Sequence, residues 1–179
     1  MVSYHGYWNY QDLIQTYDLE DKRRFPPKEK YDKNTVYGYI CENPDFSIFK
    51  HLLITANLEK KADHPQFNCT LFMCDDKTLL ANYGQDFFMA MDRNTALTLV
   101  QFHMFNRSIG MQTLLSKKGC IIQTKRIESQ MSVDIAEGKD GKKRIHLNQQ
   151  AYIISDEIKR SNGVIYIIDN LLFPENFPY

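Results

Sequence analysis

The run Val164-Ile165-Tyr166-Ile167-Ile168 is apolar at every position, with Asn162-Gly163 before it and Asp169-Asn170 after it. It is too short for a stable helix, and its β-branched and aromatic side chains suit a pleated surface. A strand that is apolar on both faces must be covered on both faces and flanked by other strands. The sequence therefore needs a sheet with this run near its centre, and further layers to bury it.

The preceding residues supply those layers in a definite order. Thr35 can cap a helix that places Val36, Tyr39 and Ile40 on one side. Asn43-Pro44 reads as an N-cap followed by proline at the first helical position, opening a stripe of Phe46, Phe49, Leu52, Leu53 and Ala56. His64-Pro65 breaks the pattern, and Thr70 to Met73 forms a short strand. Asp75 or Asp76 caps a helix through Leu79 and Leu80, and another helix runs from about Asn94 to Met104 with Leu97, Val100 and Phe102. After Arg107 the period becomes extended. Gln112 to Leu115 and Gly119 to Thr124 read as strands, Met131, Val133 and Ile135 alternate with polar residues, and Ala151 to Ile154 adds another strand. Asp140-Gly141 is a hairpin turn leading to Ile145 and Leu147, and Asn162-Gly163 is a second tight turn. Helices first and strands later define an α+β chain.

Residues 1–34 differ in character from the rest. They are rich in tyrosine and in alternating charge, with a hard stop at Pro26-Pro27, and they hold seven aromatic residues. This segment is expected to be an arm lying along its own domain or along a partner, with Tyr7, Trp8, Tyr10 and Phe25 as anchors. The expected division is an arm at 1–34, a domain at 35–175 and a tail at 176–179.

Charge and motif content narrow the functional classes. The formal net charge is +0, so no global field gathers nucleic acid or an acidic membrane. No apolar run approaches the roughly 20 residues of a membrane span. The N-terminus lacks a positive n-region and an apolar h-region, which favours cytosolic assembly. Cys41, Cys69, Cys74 and Cys120 are read as free thiols, because their spacing forms no C-x-x-C pair. The five histidines show no metal-ligand spacing, and no phosphate loop or nucleophile elbow is present. Neither a metal nor a cofactor is expected. Lys139, Lys142, Lys143 and Arg144 form a basic hairpin tip, and Lys117, Lys118, Lys125 and Arg126 a second cluster. Either is a solvated turn or a site for an acidic partner. Asn68-Cys69-Thr70 and Asn106-Arg107-Ser108 match the glycosylation pattern, at a frequency that twelve asparagines produce by chance.

The stretch from Ala151 to Pro174, with Glu157-Ile158, Ser161-Asn162-Gly163-Val164-Ile165-Tyr166 and Ile168-Asp169, resembles the second conserved segment of fasciclin (FAS1) domains. Thr35 to Phe49 looks like the family's opening helix pair, and Thr70 to Leu79 like its first conserved segment. Phe102-His103 stands where the family has Tyr-His, and Met111 to Leu115 looks like the following strand. The resemblance covers about Thr35 to Pro174. It implies a FAS1 fold, a β-sandwich or wedge with helices from the N-terminal half packed on it. It also implies a non-enzymatic role in binding proteins, and a structural role for Phe102, His103, Asn162, Gly163 and Asp169.

Three positions depart from the family pattern: Met73-Cys74-Asp75 replaces Ala-Pro-Thr, Glu157-Ile158 replaces the Asp-Ile pair implicated in integrin contact, and Tyr166 replaces a strand histidine. The candidate partner-binding residues are Tyr7, Trp8, Tyr10, Phe25, Glu157, Ile158, Lys142, Lys143 and Arg144. The partners expected are neighbouring subunits of a larger assembly. Low glycine with abundant Lys, Asn, Ile, Tyr and Phe suits an AT-rich genome, which is consistent with a minor virion or capsid protein of a large DNA virus. The alternatives are a secreted or cell-surface adhesion domain and a small-molecule or lipid binder.

Overall fold

The computed structural model describes residues 30–116, 121–123, 130–175 and 177. Helix α1 (Val36–Glu42) begins at Thr35, whose hydroxyl accepts from the Gly38 amide at 3.0 Å. A 3-10 turn (Pro44–Phe46) leads into α2 (Ser47–Thr55), and α3 (Glu59–Ala62) follows. The apolar stripe of α2 is realised: Phe49, Leu52 and Leu53 are fully buried. Strand β1 (Cys69–Met73) comes next, then α4 (Asp76–Tyr83), α5 (Gln85–Met89) and α6 (Arg93–His103). The remainder is β2 (Met104–Phe105), α7 (Met111–Ser116), β3 (Ile121–Gln123) and β4 (Gln130–Glu137), then β5 (Lys143–Leu147), β6 (Ala151–Tyr152), β7 (Ile158–Arg160) and β8 (Gly163–Ile167).

The strands form two sheets, ordered β2-β1-β8-β7 and β3-β4-β5-β6. β8 is therefore an inner strand, as its uniform apolarity requires. It pairs in parallel with β1, from Cys69 opposite Gly163 to Met73 opposite Ile167, and antiparallel with β7. The second sheet is a meander. The two sheets meet where Ile153 bridges to Ile168 and the Ile154 amide donates to the Ile167 carbonyl at 2.8 Å. One buried cluster runs from α1 and α2 through β1 and β8 to Met131, Val133, Ile145 and Leu147 of the second sheet. The α+β architecture expected from the sequence is thus the one observed.

Several local expectations are corrected. Gln112 to Leu115 is not a strand but lies in helix α7. The Leu114 amide donates to the Gly110 carbonyl, and the Glu157 carboxylate accepts from the Met111 amide at the helix start. So short a run carries no period of its own, and the cap comes from a distant part of the chain. Asn43 does not cap a helix with its side chain; its amide donates back to the Tyr39 carbonyl at 2.7 Å. The long helix starts one residue earlier than expected, because Asp92 caps it by accepting from the Thr95 amide at 2.7 Å. Of the strand expected over Gly119 to Thr124, Ile121–Gln123 is observed, and the other three residues lie outside the described residues.

The second tight turn is also shifted. Arg160 pairs with Gly163, so the loop of the β7–β8 hairpin is Ser161-Asn162 and Gly163 is already in β8. Glycine is needed there for close approach: a Cβ would stand 2.1 Å from the Cys69 carbonyl oxygen on β1. In the β4–β5 loop, by contrast, Gly141 does take a left-handed φ of 77°. Gly163→Ala is expected to lower unfolding free energy by on the order of 3 kcal/mol, since backbone rather than a side-chain tip must give way. Gly138→Ala, where the nearest atom to a Cβ is a carboxylate oxygen of Asp140 at 3.3 Å rather than backbone, is expected to change it by less than about 1 kcal/mol. Urea denaturation of the two variants checks the contrast.

Candidate functional site

The polar residues singled out by the sequence lie mostly inside the protein. His103, at the end of α6, is fully buried. Its Nδ1–H donates to the Leu99 carbonyl at 2.7 Å, and its Nε2 accepts from the Leu172 amide at 3.0 Å. That arrangement requires the neutral ring, and burial lowers its pKa to about 4. Phe102 is buried beside it, and the Phe49 ring meets the imidazole edge-on at 5.5 Å between centroids. His103 is thus a structural tie between α6 and the C-terminal segment.

Asn162 makes three ties from one side chain. Its Oδ1 accepts from the Val36 amide at 2.8 Å, and its Nδ2 donates to the Ala62 and His64 carbonyls at 2.8 and 3.0 Å. The start of α1, the end of α3 and the root of β8 are held together there. Asp169 joins the two sheets: its Oδ1 accepts from the Tyr152 amide at 2.8 Å, and its own amide donates to the Tyr152 carbonyl at 3.1 Å.

The acidic residues are engaged as well. Asp75 caps α4 by accepting from the Thr78 amide at 2.8 Å. Asp76 instead caps a different helix, accepting from the Ile48 amide at 2.8 Å and from the amide and hydroxyl of Ser47. This replaces the cap assigned to Asn43. Burial raises the Asp76 pKa to about 6, against the opposing pull of the Ser47 hydroxyl and the two amides. Glu157 accepts from the Met111 amide at 2.7 Å, and that bond holds its carboxyl below the usual range. Ile158 is half-buried and packs on the core. Tyr166 replaces the family's strand histidine and donates its hydroxyl to the Ile109 carbonyl at 2.7 Å, with burial raising its pKa.

Sequence reasoning missed Thr70, Asp76 and Tyr166 as tertiary anchors. Thr70 donates to the Arg107 carbonyl and accepts from the Ile109 amide, both at 2.7 Å. The signal for Thr70 and Tyr166 is a hydroxyl inside an otherwise apolar strand, since a buried hydroxyl must find a partner. Nothing local distinguishes Asp76 from Asp75.

The surface candidates lie elsewhere. Lys142 and Lys143 are exposed at the β4–β5 tip, and Arg144 pairs with Asp140 at 2.6 Å. Tyr7, Trp8, Tyr10, Phe25 and the second basic cluster lie outside the described residues. Cys41, Cys69 and Cys74 are free thiols; burial raises the Cys69 pKa to about 12 and that of Cys74 further. Among the described residues no three His, Cys, Asp or Glu side chains converge as a metal site, and no helix is long and apolar enough to cross a membrane. A depression lined by Lys60, Lys61, His64, Gln66 and Phe67 is open to solvent.

Two predictions follow from the buried network. His103 has a pKa of about 4 in the folded chain against an ordinary 6.5. The unfolded chain therefore binds more protons between these values, and stability falls as pH drops through that window. From pH 7 to 4.5 the loss is roughly 2–3 kcal/mol for this residue. His51, at about 4, acts in the same direction, and Asp76, at about 6, opposes it. His103→Gln is expected to be less stable at pH 7 yet to lose less on acidification, as read by denaturation curves at both pH values. Asn162→Ala strands one buried donor and two carbonyls, at a cost on the order of 3–5 kcal/mol. Thermal melting should show a large drop, or little folded protein.

The comparisons with known proteins agree with this geometry. No curated protein matches the chain. Among solved structures, the FAS1 domain pair from the insect cell adhesion molecule fasciclin I is similar, with a TM-score of 0.63 at 22% identity. The match covers 78% of this chain and 51% of that one, so the chain spans about half the length of the solved pair. At that identity the likeness shows the fold. The fasciclin domain family model matches residues 44–174, a span that contains His103, Asn162, Gly163 and Asp169. The chain belongs to the fasciclin domain family.

Proposed function

We propose that the chain is a non-enzymatic protein-binding module acting as a structural part of a larger assembly. The observation that carries this reading is family membership, because fasciclin domains are in general protein-interaction and adhesion modules. The interior supports it. His103, Asn162, Asp76 and Asp169 are spent on backbone groups, which leaves the outer surface and the arm for partners.

The root of the arm is well fastened. The Asp32 amide donates to Asp63 at 3.1 Å, the Ser161 amide donates to the Asn34 carbonyl at 2.9 Å, and the Arg160 guanidinium donates to the Lys33 carbonyl. A partner gripping the aromatic residues of the arm is thereby coupled to the folded domain. The setting proposed from composition is a minor component of a virus particle assembled in the cytosol.

A second reading, adhesion in the manner of the insect molecule, is favoured by the fold likeness. It is weakened at the integrin-type position, where the Glu157 carboxylate is already bound to the Met111 amide.

Deleting residues 1–29, which spares the fastened root, is expected to leave the domain folded, as read by a cooperative melt, while co-purification with the native assembly is lost. A truncated chain that incorporates at the full-length level overturns the assembly reading.

A further inference from the structure

The outward face of the second sheet combines features that interior-facing strands do not need. Asp134 stands opposite His146 and Ala136 opposite Arg144 across β4 and β5, and β6 continues the row with Tyr152 opposite His146. Their neighbours Val133, Ile145, Leu147 and Ala151 are buried, so alternation turns the first set outward. The His146 and Tyr152 rings stack at 4.0 Å with 5° between planes. The Tyr152 hydroxyl pins this plate by donating to the Glu137 carbonyl at 3.1 Å. Ile153 is buried, which places Ile154 on the same side as Tyr152; Ile154 is 45% exposed.

The basic tip borders this face. Its loop is braced by Asp140, which accepts from the Lys142 amide at 3.1 Å and from the Arg144 guanidinium at 2.6 Å. The Gly138 amide closes it onto the Lys142 carbonyl at 2.9 Å. Asp140 compensates Arg144, while Lys139, Lys142 and Lys143 are exposed and make no ion pair among the described residues.

We infer that this face docks an acidic protein segment, with carboxylates against the lysine tip and an apolar side chain on the His146–Tyr152 plate and Ile154. The inference rests on the protein-binding reading above and names the chemistry of the partner. Tyrosine and arginine are enriched at interfaces, and the buried centre of an interface is more apolar than its rim. A braced loop loses little freedom on binding. The net charge is +0, so the attraction to carboxylates is local to the tip. Ile154, an exposed aliphatic side chain beside the plate, favours a protein over a nucleic-acid backbone.

Fluorescence anisotropy on the full chain tests this, with a labelled short peptide of alternating Glu and Leu as probe. A Lys and Leu peptide of equal length and a labelled oligo(dT) serve as comparisons. The Glu/Leu peptide is expected to bind saturably, and to weaken about tenfold or more in Lys142→Glu/Lys143→Glu and in Ile154→Asp. Binding should also weaken with added salt, while the Lys/Leu peptide binds at least about tenfold less well. Three results overturn the inference: no saturable binding, equal binding by variants whose melting matches wild type, or oligo(dT) binding as tightly through the same lysines. All these chains keep residues 1–29, so failure here leaves the assembly test of the arm standing on its own.

Discussion

The approach of β8 to β1 at Gly163 is the contact on which the rest of the fold depends. The two backbones come so close that a single methyl group would overlap the Cys69 carbonyl oxygen. The Cys69 amide donates to the Asn162 carbonyl at 3.0 Å, setting the parallel register from its first residue. Because Asn162 also holds the start of α1 and the end of α3, one dipeptide aligns the helical layer and the central sheet together. Strands far apart in sequence pay a large closure entropy when they pair, and this corner concentrates the compensating bonds at one place.

The helices show the same economy of long-range bonds. α2 is nine residues and α7 six, lengths at which an isolated helix is marginal in water. Each start is held by a carboxylate from elsewhere in the chain, Asp76 for α2 and Glu157 for α7. These acids neutralise orphan amide groups at helix N-termini, where negative charge is also favoured by the helix dipole. One consequence bears on binding. Glu157, at the position the resemblance links to integrin contact, holds the start of α7 and is engaged inside the fold.

Much of this was legible in the residues. The central place of β8 followed from its unbroken apolarity, the burial of α2 from its stripe, and the cap at Thr35 from its position before Val36. A structural role for His103 followed from the resemblance at Phe102-His103; the ring is buried with two backbone partners. What was not legible depends on distant partners. The run at Met111 to Ser116 is too short to show a period, and its helix is decided by Gly110 and by Glu157, which lies across the fold. Asp75 and Asp76 are adjacent and chemically alike, yet one caps its own helix and the other caps α2. The glycine after Asn162 looked like a turn residue, whereas its role is to let two strands touch.

The sequence by itself determined the class of fold, the inner strand, the helical layer and the family, because these rest on local periodicity and on residues adjacent along the chain. Tertiary structure alone decided which polar side chains are spent inside and which face solvent. Hydrogen-bond partners separated by as many as 127 residues, as Lys33 and Arg160 are, leave no mark in any local pattern. The outward grouping of His146, Tyr152 and Ile154 beside the lysine tip is of the same kind, since it exists only once three strands lie in register.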